Sequence, residues 1–206
     1  MKKIFITGIG TEVGKTVASA IVVEALKADY WKPIQAGELD FSDSHKIKEF
    51  ISNNETKIFE NSYALQTPMS PHAAADIDGI TIDLSKIIKP KTSNNLVIEG
   101  AGGLLVPLND TETILDIIKS DYKVIVVSRH YLGSINHTLL SIEMLKQKGL
   151  NIGGIIFSGN EHKTTEEIIL KMTKIPVIGR IDEEGKFNKE VIKKYADLFK
   201  SALEIL

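Results

Sequence analysis

The chain contains no cysteine, which excludes disulfides, thiolate nucleophiles and cysteine-ligated metal sites. A basic excess is also lacking, because 25 lysines and arginines stand against 27 aspartates and glutamates. With no basic stripe either, a nucleic-acid partner is not expected. No apolar run approaches the roughly 20 residues that a membrane helix needs, and the first residues do not resemble a signal peptide. We therefore expect a soluble, cytoplasmic protein without nucleic-acid or membrane partners.

The most informative segment that is present lies at the start of the chain. A strand-like run leads into Gly8-Ile9-Gly10-Thr11-Glu12-Val13-Gly14-Lys15-Thr16, and helix-forming residues follow. Glycines let successive backbone N–H groups curl around an anion, and the next helix points its positive end at the same place. Lys15 can neutralise the β- and γ-phosphates, and the Thr16 hydroxyl can ligate Mg²⁺. The usual first glycine would stand at position 9, which is Ile, so the segment predicts a variant phosphate-binding loop for ATP or GTP.

Short apolar runs alternate with stretches of helical periodicity along the rest of the chain. Runs of valine and isoleucine without polar alternation are typical of parallel strands covered on both faces. We predict strands at Lys3–Thr7, Tyr30–Pro33, Asn95–Glu99, Lys123–Val127, Gly153–Phe157 and Pro176–Ile178. We predict helices at Thr16–Lys27, Asp43–Ile51, Ile114–Ser120, Ile135–Lys148, Thr165–Met172 and Asn188–Lys200. This order predicts one α/β domain over residues 1–206, a doubly wound, mostly parallel sheet flanked by helices, of the P-loop NTPase type. The irregular stretch 53–83 is expected to be a long excursion over the sheet edge.

Ligands of such sheets bind beyond the carboxyl ends of the strands. Three polar or glycine-rich clusters fall there, namely the phosphate-binding loop, Lys32 with Gln35-Ala36-Gly37, and Glu99–Gly103. Glu99 ends an apolar strand and could hold Mg²⁺, and the glycines of Gly100-Ala101-Gly102-Gly103 could admit an anionic substrate. Lys32 follows the second strand and could stabilise a transferring phosphoryl group, although an ordinary surface lysine fits as well. Asp43 is either a helix cap or a second metal ligand.

Two further segments combine polar residues with predicted helix starts. Gly133-Ser134-Ile135-Asn136 opens a long amphipathic helix, whose N-terminus could bind a carboxylate or simply be capped by Ser134. His72 could contact a substrate or cap the helix that follows it.

Taken in order, these residues resemble the dethiobiotin synthetase family, ATP-dependent carboxylases that close the ureido ring in biotin biosynthesis. The resemblance runs from about residue 3 to residue 181 and rests on Thr11–Thr16, Lys32-Pro33, Ser42-Asp43, Ser70-Pro71-His72, Glu99–Gly103 with Pro107-Leu108, and Leu132–His137.

The resemblance implies an ATP-dependent cyclo-ligase that acts as a homodimer on 7,8-diaminopelargonate and carbon dioxide. It implies catalytic roles for Thr11, Lys15 and Lys32, and Mg²⁺ ligation by Thr16, Asp43 and Glu99. The nucleotide would be bound by Glu12, Val13, Gly14, Lys15, Thr16, Ser158 and Pro176. The substrate would be bound by Ser70, Gly100, Ala101, Gly102 and Gly103, and by Gly133, Ser134 and Asn136 reaching across from the second subunit.

Two positions depart from the family pattern. Ala36 stands where the family usually carries a serine or threonine, and Ser158 stands where a base-reading strand usually ends in asparagine. Serine offers fewer hydrogen-bonding groups to an adenine edge than an amide, so relaxed selectivity among nucleoside triphosphates is a possible consequence.

Two other functions can be weighed against the sequence. Related enzymes that form amides from glutamine need a glutaminase cysteine, which this chain lacks. A nucleotide switch of the partition ATPase type is the main alternative. Such ATPases carry a further lysine near the start of the loop, where this chain has Ile9 or Gly10.

Overall fold

The structure is a computed structural model that describes all 206 residues. Its strands are β1 (Lys3–Gly8), β2 (Asp29–Trp31), β3 (Ile34–Ala36), β4 (Ile58–Phe59), β5 (Tyr63–Leu65), β6 (Leu96–Glu99), β7 (Lys123–Arg129), β8 (Asn151–Ser158) and β9 (Val177–Ile181). Its α-helices are α1 (Lys15–Leu26), α2 (Asp43–Phe50), α3 (Pro71–Asp78), α4 (Ile114–Ile117), α5 (Ser134–Gln147), α6 (Lys163–Thr173) and α7 (Lys189–Glu204). None of these helices has both the length and the hydrophobicity that a bilayer crossing requires.

Seven strands form one sheet in the order β4-β2-β6-β1-β7-β8-β9, and every neighbouring pair is parallel. The central strand β1 is buried on both faces, as its residues Ile4, Phe5 and Ile6 have no exposed surface. Helix α1 packs against α2 and α7, whereas α5 packs against α6 and the strands β7 and β8. The predicted doubly wound α/β fold is confirmed.

The second strand is shorter than predicted. The sequence predicts Tyr30–Pro33, but β2 ends at Trp31 and the chain resumes as β3, which pairs with β5 in a separate two-stranded sheet. Proline has no N–H to donate to a ladder, so Pro33 marks the break between the two sheets.

The stretch 53–83 is more regular than predicted. It contains β4, which extends the main sheet beside β2, as well as β5 and helix α3. Strands of two or three residues carry no detectable period, which is why the pattern missed them. Likewise, the helix predicted at Ile114–Ser120 ends at Ile117, where the buried Ile118 takes an extended backbone.

Candidate active site

The loop between β1 and α1 has the backbone shape expected of an anion cradle. Gly14, the N-cap of α1, has φ of +93°, and Glu12 also lies in the left-handed region with φ of +56°. A side chain at position 14 would be strained, which explains the glycine there. The Val13 side chain is buried, and a Cβ placed on Gly8 would lie 2.5 Å from its Cγ2 atom. The predicted nucleotide contact of Val13 can therefore come only from its main chain.

Lys15 is a buried cation without a carboxylate partner. Its Nζ atom donates to the carbonyl oxygen of Gly10 at 2.8 Å, and no acidic side chain lies within ion-pair distance. Burial, assisted by the charge of Lys32 and partly offset by Glu99 and Asp43, lowers the pKa of Lys15 to about 8. An anionic group bound at the loop would stabilise the charged form of this lysine.

Glu99 is completely buried at the end of β6 and is held by three side chains. Its Oε1 atom accepts from the Thr16 hydroxyl at 3.0 Å and from Lys32 Nζ at 3.3 Å. Its Oε2 atom accepts from the Tyr30 hydroxyl at 3.0 Å. Both carboxylate oxygens are thus hydrogen-bonded, as a buried charge requires.

Lys32 also forms an ion pair with Asp43, so this ammonium bridges the two carboxylates. Burial alone would lower the pKa of Lys32, but Glu99 and Asp43 outweigh it and the pKa is raised. The second oxygen of Asp43 lies 3.5 Å from Lys46 Nζ. Burial would raise the pKa of Asp43, but Lys32 and other hydrogen-bonding partners lower it.

The helix-cap interpretation of Asp43 is wrong. Ser42 is the N-cap of α2 and forms a capping box with His45, whereas Asp43 is the first helical residue. The Asp43 carboxylate is therefore free to face Lys32 and the sheet edge.

The residues at this edge fit a magnesium ion. Two cis ligands of an octahedral Mg²⁺ with bonds of about 2.1 Å lie about 3.0 Å apart, and Thr16 Oγ1 and Glu99 Oε1 are separated by 3.0 Å. The donor set is one hydroxyl and two carboxylates, all oxygen. The structure has no group of three or more His, Cys, Asp or Glu side chains placed to hold a metal ion, so a cation here would need further oxygen ligands from water or phosphate.

The glycine-rich segment after β6 lies against the phosphate-binding loop. The N–H group of Gly100 donates to the carbonyl oxygen of Ile6 at 3.0 Å, and Ala101 packs on the core. A Cβ on Gly102, whose φ is +66°, would lie 3.7 Å from Thr11 Oγ1, and one on Gly103 would lie 3.5 Å from the Gly8 carbonyl oxygen. The structure thus brings the predicted substrate segment beside Thr11.

The segment that contains Ser70 joins this region through two contacts. A Cβ on Gly37, just after β3, would overlap the ring of Pro68. At the start of α3 the N–H group of His72 donates to the carbonyl oxygen of Pro107 at 3.3 Å, while Ser70 Oγ lies 3.2 Å from His72 Nδ1. Ser70 is therefore held between the end of β3 and the loop that follows β6.

Of the two further residues predicted to bind nucleotide, only Ser158 contacts the loop. A Cβ on Gly14 would lie 3.0 Å from Ser158 Oγ. Pro176 precedes β9, which runs parallel to β8 with Val177 beside Ile155 and Ile181 beside Ser158. The carbonyl oxygen of Pro176 accepts from the N–H group of Ile155, so at about 3.3 Å per residue Pro176 lies more than about 10 Å along the sheet from Ser158, near the middle of β8. The structure therefore does not bring Pro176 beside Ser158, whereas Ile181, the last residue of β9, lies next to Ser158, and its carbonyl oxygen accepts from the N–H group of Gly159 at 2.9 Å.

Gly133, Ser134 and Asn136 lie at the start of α5, and no hydrogen bond joins them to the phosphate-binding loop or to 100–103. Gly133, with φ of +103°, is the N-cap, so Ser134 does not cap this helix. Asn136 is exposed and the neighbouring Leu132 is fully exposed, whereas Ser134 is buried. These residues border a solvent-facing surface of the chain.

Sequence reasoning missed two residues of this region, namely Tyr30, which contacts Glu99, and Lys46, which contacts Asp43. Tyr30 precedes Lys32 by two residues, the spacing that places two side chains on one face of a strand. That spacing was the available signal.

Comparisons with known proteins give relatives of this chain in sequence and in fold. Residues 2–191 match the family described as an AAA domain. The ATP-dependent dethiobiotin synthetase BioD of Christiangramia forsetii is 63% identical over 202 residues, covering 98% of each chain. The protein of the same name from Cytophaga hutchinsonii is 49% identical over 198 residues, covering 95% of this chain and 96% of its own.

Among solved structures, the septum site-determining protein MinD of Pyrococcus horikoshii, complexed with Mg-ADP, superposes with a TM-score of 0.67 at 17% identity, covering 99% of this chain and 95% of its own. A plasmid partition protein of Borrelia burgdorferi bound to AMPPNP gives a TM-score of 0.60 at 15% identity, covering 100% and 99%. At these identities the likeness shows the fold alone.

Proposed function

The chain belongs to the dethiobiotin synthetase family, and we propose that it carboxylates 7,8-diaminopelargonate and closes the ureido ring with ATP and Mg²⁺. The products would be dethiobiotin, ADP and phosphate. The observation that carries this proposal is the pair of buried lysines, Lys15 and Lys32, at one sheet edge with Thr16, Asp43 and Glu99.

The proposed reaction has three steps. One amine of the substrate adds to the carbon of carbon dioxide and loses a proton, giving a carbamate. A carbamate oxygen takes the γ-phosphoryl group of ATP, giving a carbamic-phosphoric anhydride and ADP. The second amine attacks the carbonyl carbon and loses a proton, phosphate leaves, and the ring closes. No step requires a covalent bond to the protein, which agrees with the absence of cysteine.

The carbamate, the triphosphate and the mixed anhydride of this scheme are all anionic, and the proposed site residues supply positive charge and N–H donors. Lys15 and the backbone of 8–14 would hold the triphosphate. Lys32 would stabilise charge on the carbamate and on the transferring phosphoryl group. Bound Mg²⁺, ligated by Thr16, Asp43 and Glu99, would neutralise charge on the β- and γ-phosphates.

A homodimer is part of the proposal because the start of α5 exposes apolar side chains. Leu132 is fully exposed, and Ile135 and Leu140 are 36% and 60% exposed. A second copy covering this surface would carry Gly133, Ser134 and Asn136 to its partner's substrate carboxylate. Leu132→Asp should give monomers in analytical ultracentrifugation, while Leu198→Asp, a matched change at an exposed position of α7, should not. A dimeric, fully active Leu132→Asp variant would refute this interface.

The activity is tested by incubating the protein with ATP, Mg²⁺ and 13C-labelled bicarbonate, with and without the diamine. Phosphate release should depend on the diamine, and the product should carry one labelled carbonyl by mass spectrometry. Lys15→Ala should lower turnover about 100-fold or more, whereas Lys27→Ala, at the exposed end of the same helix, should not. ATP hydrolysis independent of the diamine, without a cyclic product, would favour the nucleotide switch instead.

A further inference from the structure

We propose that Tyr30 is a positioning residue that fixes the Glu99 carboxylate for binding the divalent cation. The inference rests on the proposed metal-binding role of Glu99, and the experiments below separate a failure of that role from a failure of Tyr30.

The register of two strands brings the hydroxyl and the carboxylate together. In the parallel pair of β2 and β6, Tyr30 lies beside Val97, so Glu99, two residues further on, shares its face of the sheet. Two residues of strand span about 7 Å, a distance that a tyrosine side chain can reach. The contact is the 3.0 Å hydrogen bond from the Tyr30 hydroxyl to Glu99 Oε2. Phenylalanine would fill the same space without the donor.

The Tyr30 hydroxyl is the donor in this contact, because a carboxylate oxygen accepts. The phenol thereby engages Oε2. The other oxygen, Oε1, is left to face Thr16 and Lys32 at 3.0 and 3.3 Å.

Because the two oxygens of Glu99 have different hydrogen-bond partners, one of them can be presented to a cation. The Glu99 side chain has no exposed surface, so without the phenol its Oε2 atom would lack a hydrogen-bond donor. The carboxylate could then rotate, and either oxygen could take the contacts with Thr16 and Lys32. Outer partners of metal ligands typically change metal affinity by about 10- to 100-fold when they are removed.

The test measures Mn²⁺ binding to the full chain by electron paramagnetic resonance, in the presence of a non-hydrolysable ATP analogue. Tyr30→Phe should raise the dissociation constant for Mn²⁺ about tenfold or more. The affinity of the protein for the ATP analogue, measured without metal, should stay unchanged. A purely structural defect would lower both affinities together. Tyr195→Phe is the matched control, because this hydroxyl also donates to a carboxylate, that of Glu184 at 2.8 Å, and its loss should leave Mn²⁺ affinity unchanged.

Glu99→Gln separates the two possible failures. If it leaves Mn²⁺ affinity unchanged, the metal-binding role of Glu99 is wrong and the inference about Tyr30 is overturned with it. If it weakens Mn²⁺ binding but a folded Tyr30→Phe variant binds like the parent protein, only the role of Tyr30 is overturned.

If Tyr30→Phe does not fold, 3-fluorotyrosine at position 30 keeps the hydroxyl and adds a fluorine reporter. Its 19F resonance should move on titration with Mg²⁺ and the ATP analogue relative to the analogue alone. A resonance that does not move would overturn the inference.

Discussion

Replacing Lys32 with methionine should destabilise the protein sharply unless a divalent cation is present. The Lys32 side chain is 8% exposed and bridges Asp43, 15% exposed, and Glu99, which is not exposed at all. Methionine keeps most of the length and removes the charge, so two neighbouring buried carboxylates lose their shared counter-ion. Removing one partner of a buried ion pair costs about 3–5 kcal/mol of the free energy of unfolding.

For a chain of this length each kcal/mol shifts Tm by about 2–4 °C, so Tm should fall by roughly 6–20 °C. The matched control is Lys27→Met, because Lys27 pairs with Glu55 at 2.6 Å while both side chains are more than half exposed. A pair of that kind contributes little, and Tm should stay near that of the parent protein.

The measurement is thermal unfolding by circular dichroism, with and without excess Mg²⁺. Mg²⁺ binding to the unpaired carboxylates stabilises the folded state by mass action, so it should raise the Tm of Lys32→Met more than that of the parent protein. The reasoning is refuted if Lys32→Met is as stable as Lys27→Met without metal. It is also refuted if Mg²⁺ raises the Tm of Lys32→Met and of the parent protein by the same amount.

Three further predictions address other parts of the structure. The pKa of Lys15 is lowered from 10.5 to about 8, so the unfolded state binds more protons than the folded state between those pH values, and the free energy of unfolding should rise with pH across that window. The Tm of the parent protein should therefore rise relative to that of Lys15→Met from pH 8 to 10, and a Tm difference that does not change with pH contradicts the lowered pKa. Ser158→Asn should raise the kcat/KM preference for ATP over GTP about fivefold, the effect of one added hydrogen bond of about 1 kcal/mol; equal discrimination before and after would count against base reading at this position. Gly179→Ala should lower the free energy of unfolding in urea by about 1–3 kcal/mol, because its Cβ would overlap the buried Phe199 ring; Gly185→Ala, where a Cβ meets open space, is the control, and equal stability of the two variants would contradict the packing argument.

The sequence was sufficient for the centre of the fold because that part has one strong signal. Strands β1, β6, β7 and β8 are buried on both faces and appear as apolar runs. Strands β4 and β5 have two and three residues, too few to show any period. Their existence depends on an unpaired edge of β2 and on the break at Pro33, which are properties of the assembled sheet.

The same distinction applies to the site. Thr16, Lys32 and Glu99 were predicted to meet because parallel strands end at a common edge, and their hydrogen bonds join them there. Pro176 fails the same rule, since it precedes its strand instead of following it. The contact of Tyr30 depends on the register between β2 and β6, which a single sequence does not contain.

The distribution of charge at this edge also affects how nucleotide reaches the protein. The two buried lysines equal the two carboxylates in number, although only Lys32 is ion-paired with them, and the chain as a whole carries a formal charge of −2. Such a surface offers little long-range attraction to a magnesium–nucleotide complex that is itself negative. Binding strength must then come from contacts made within a few ångströms, through oriented N–H groups and a desolvated lysine. Association should therefore depend only weakly on ionic strength, and residence time should govern affinity.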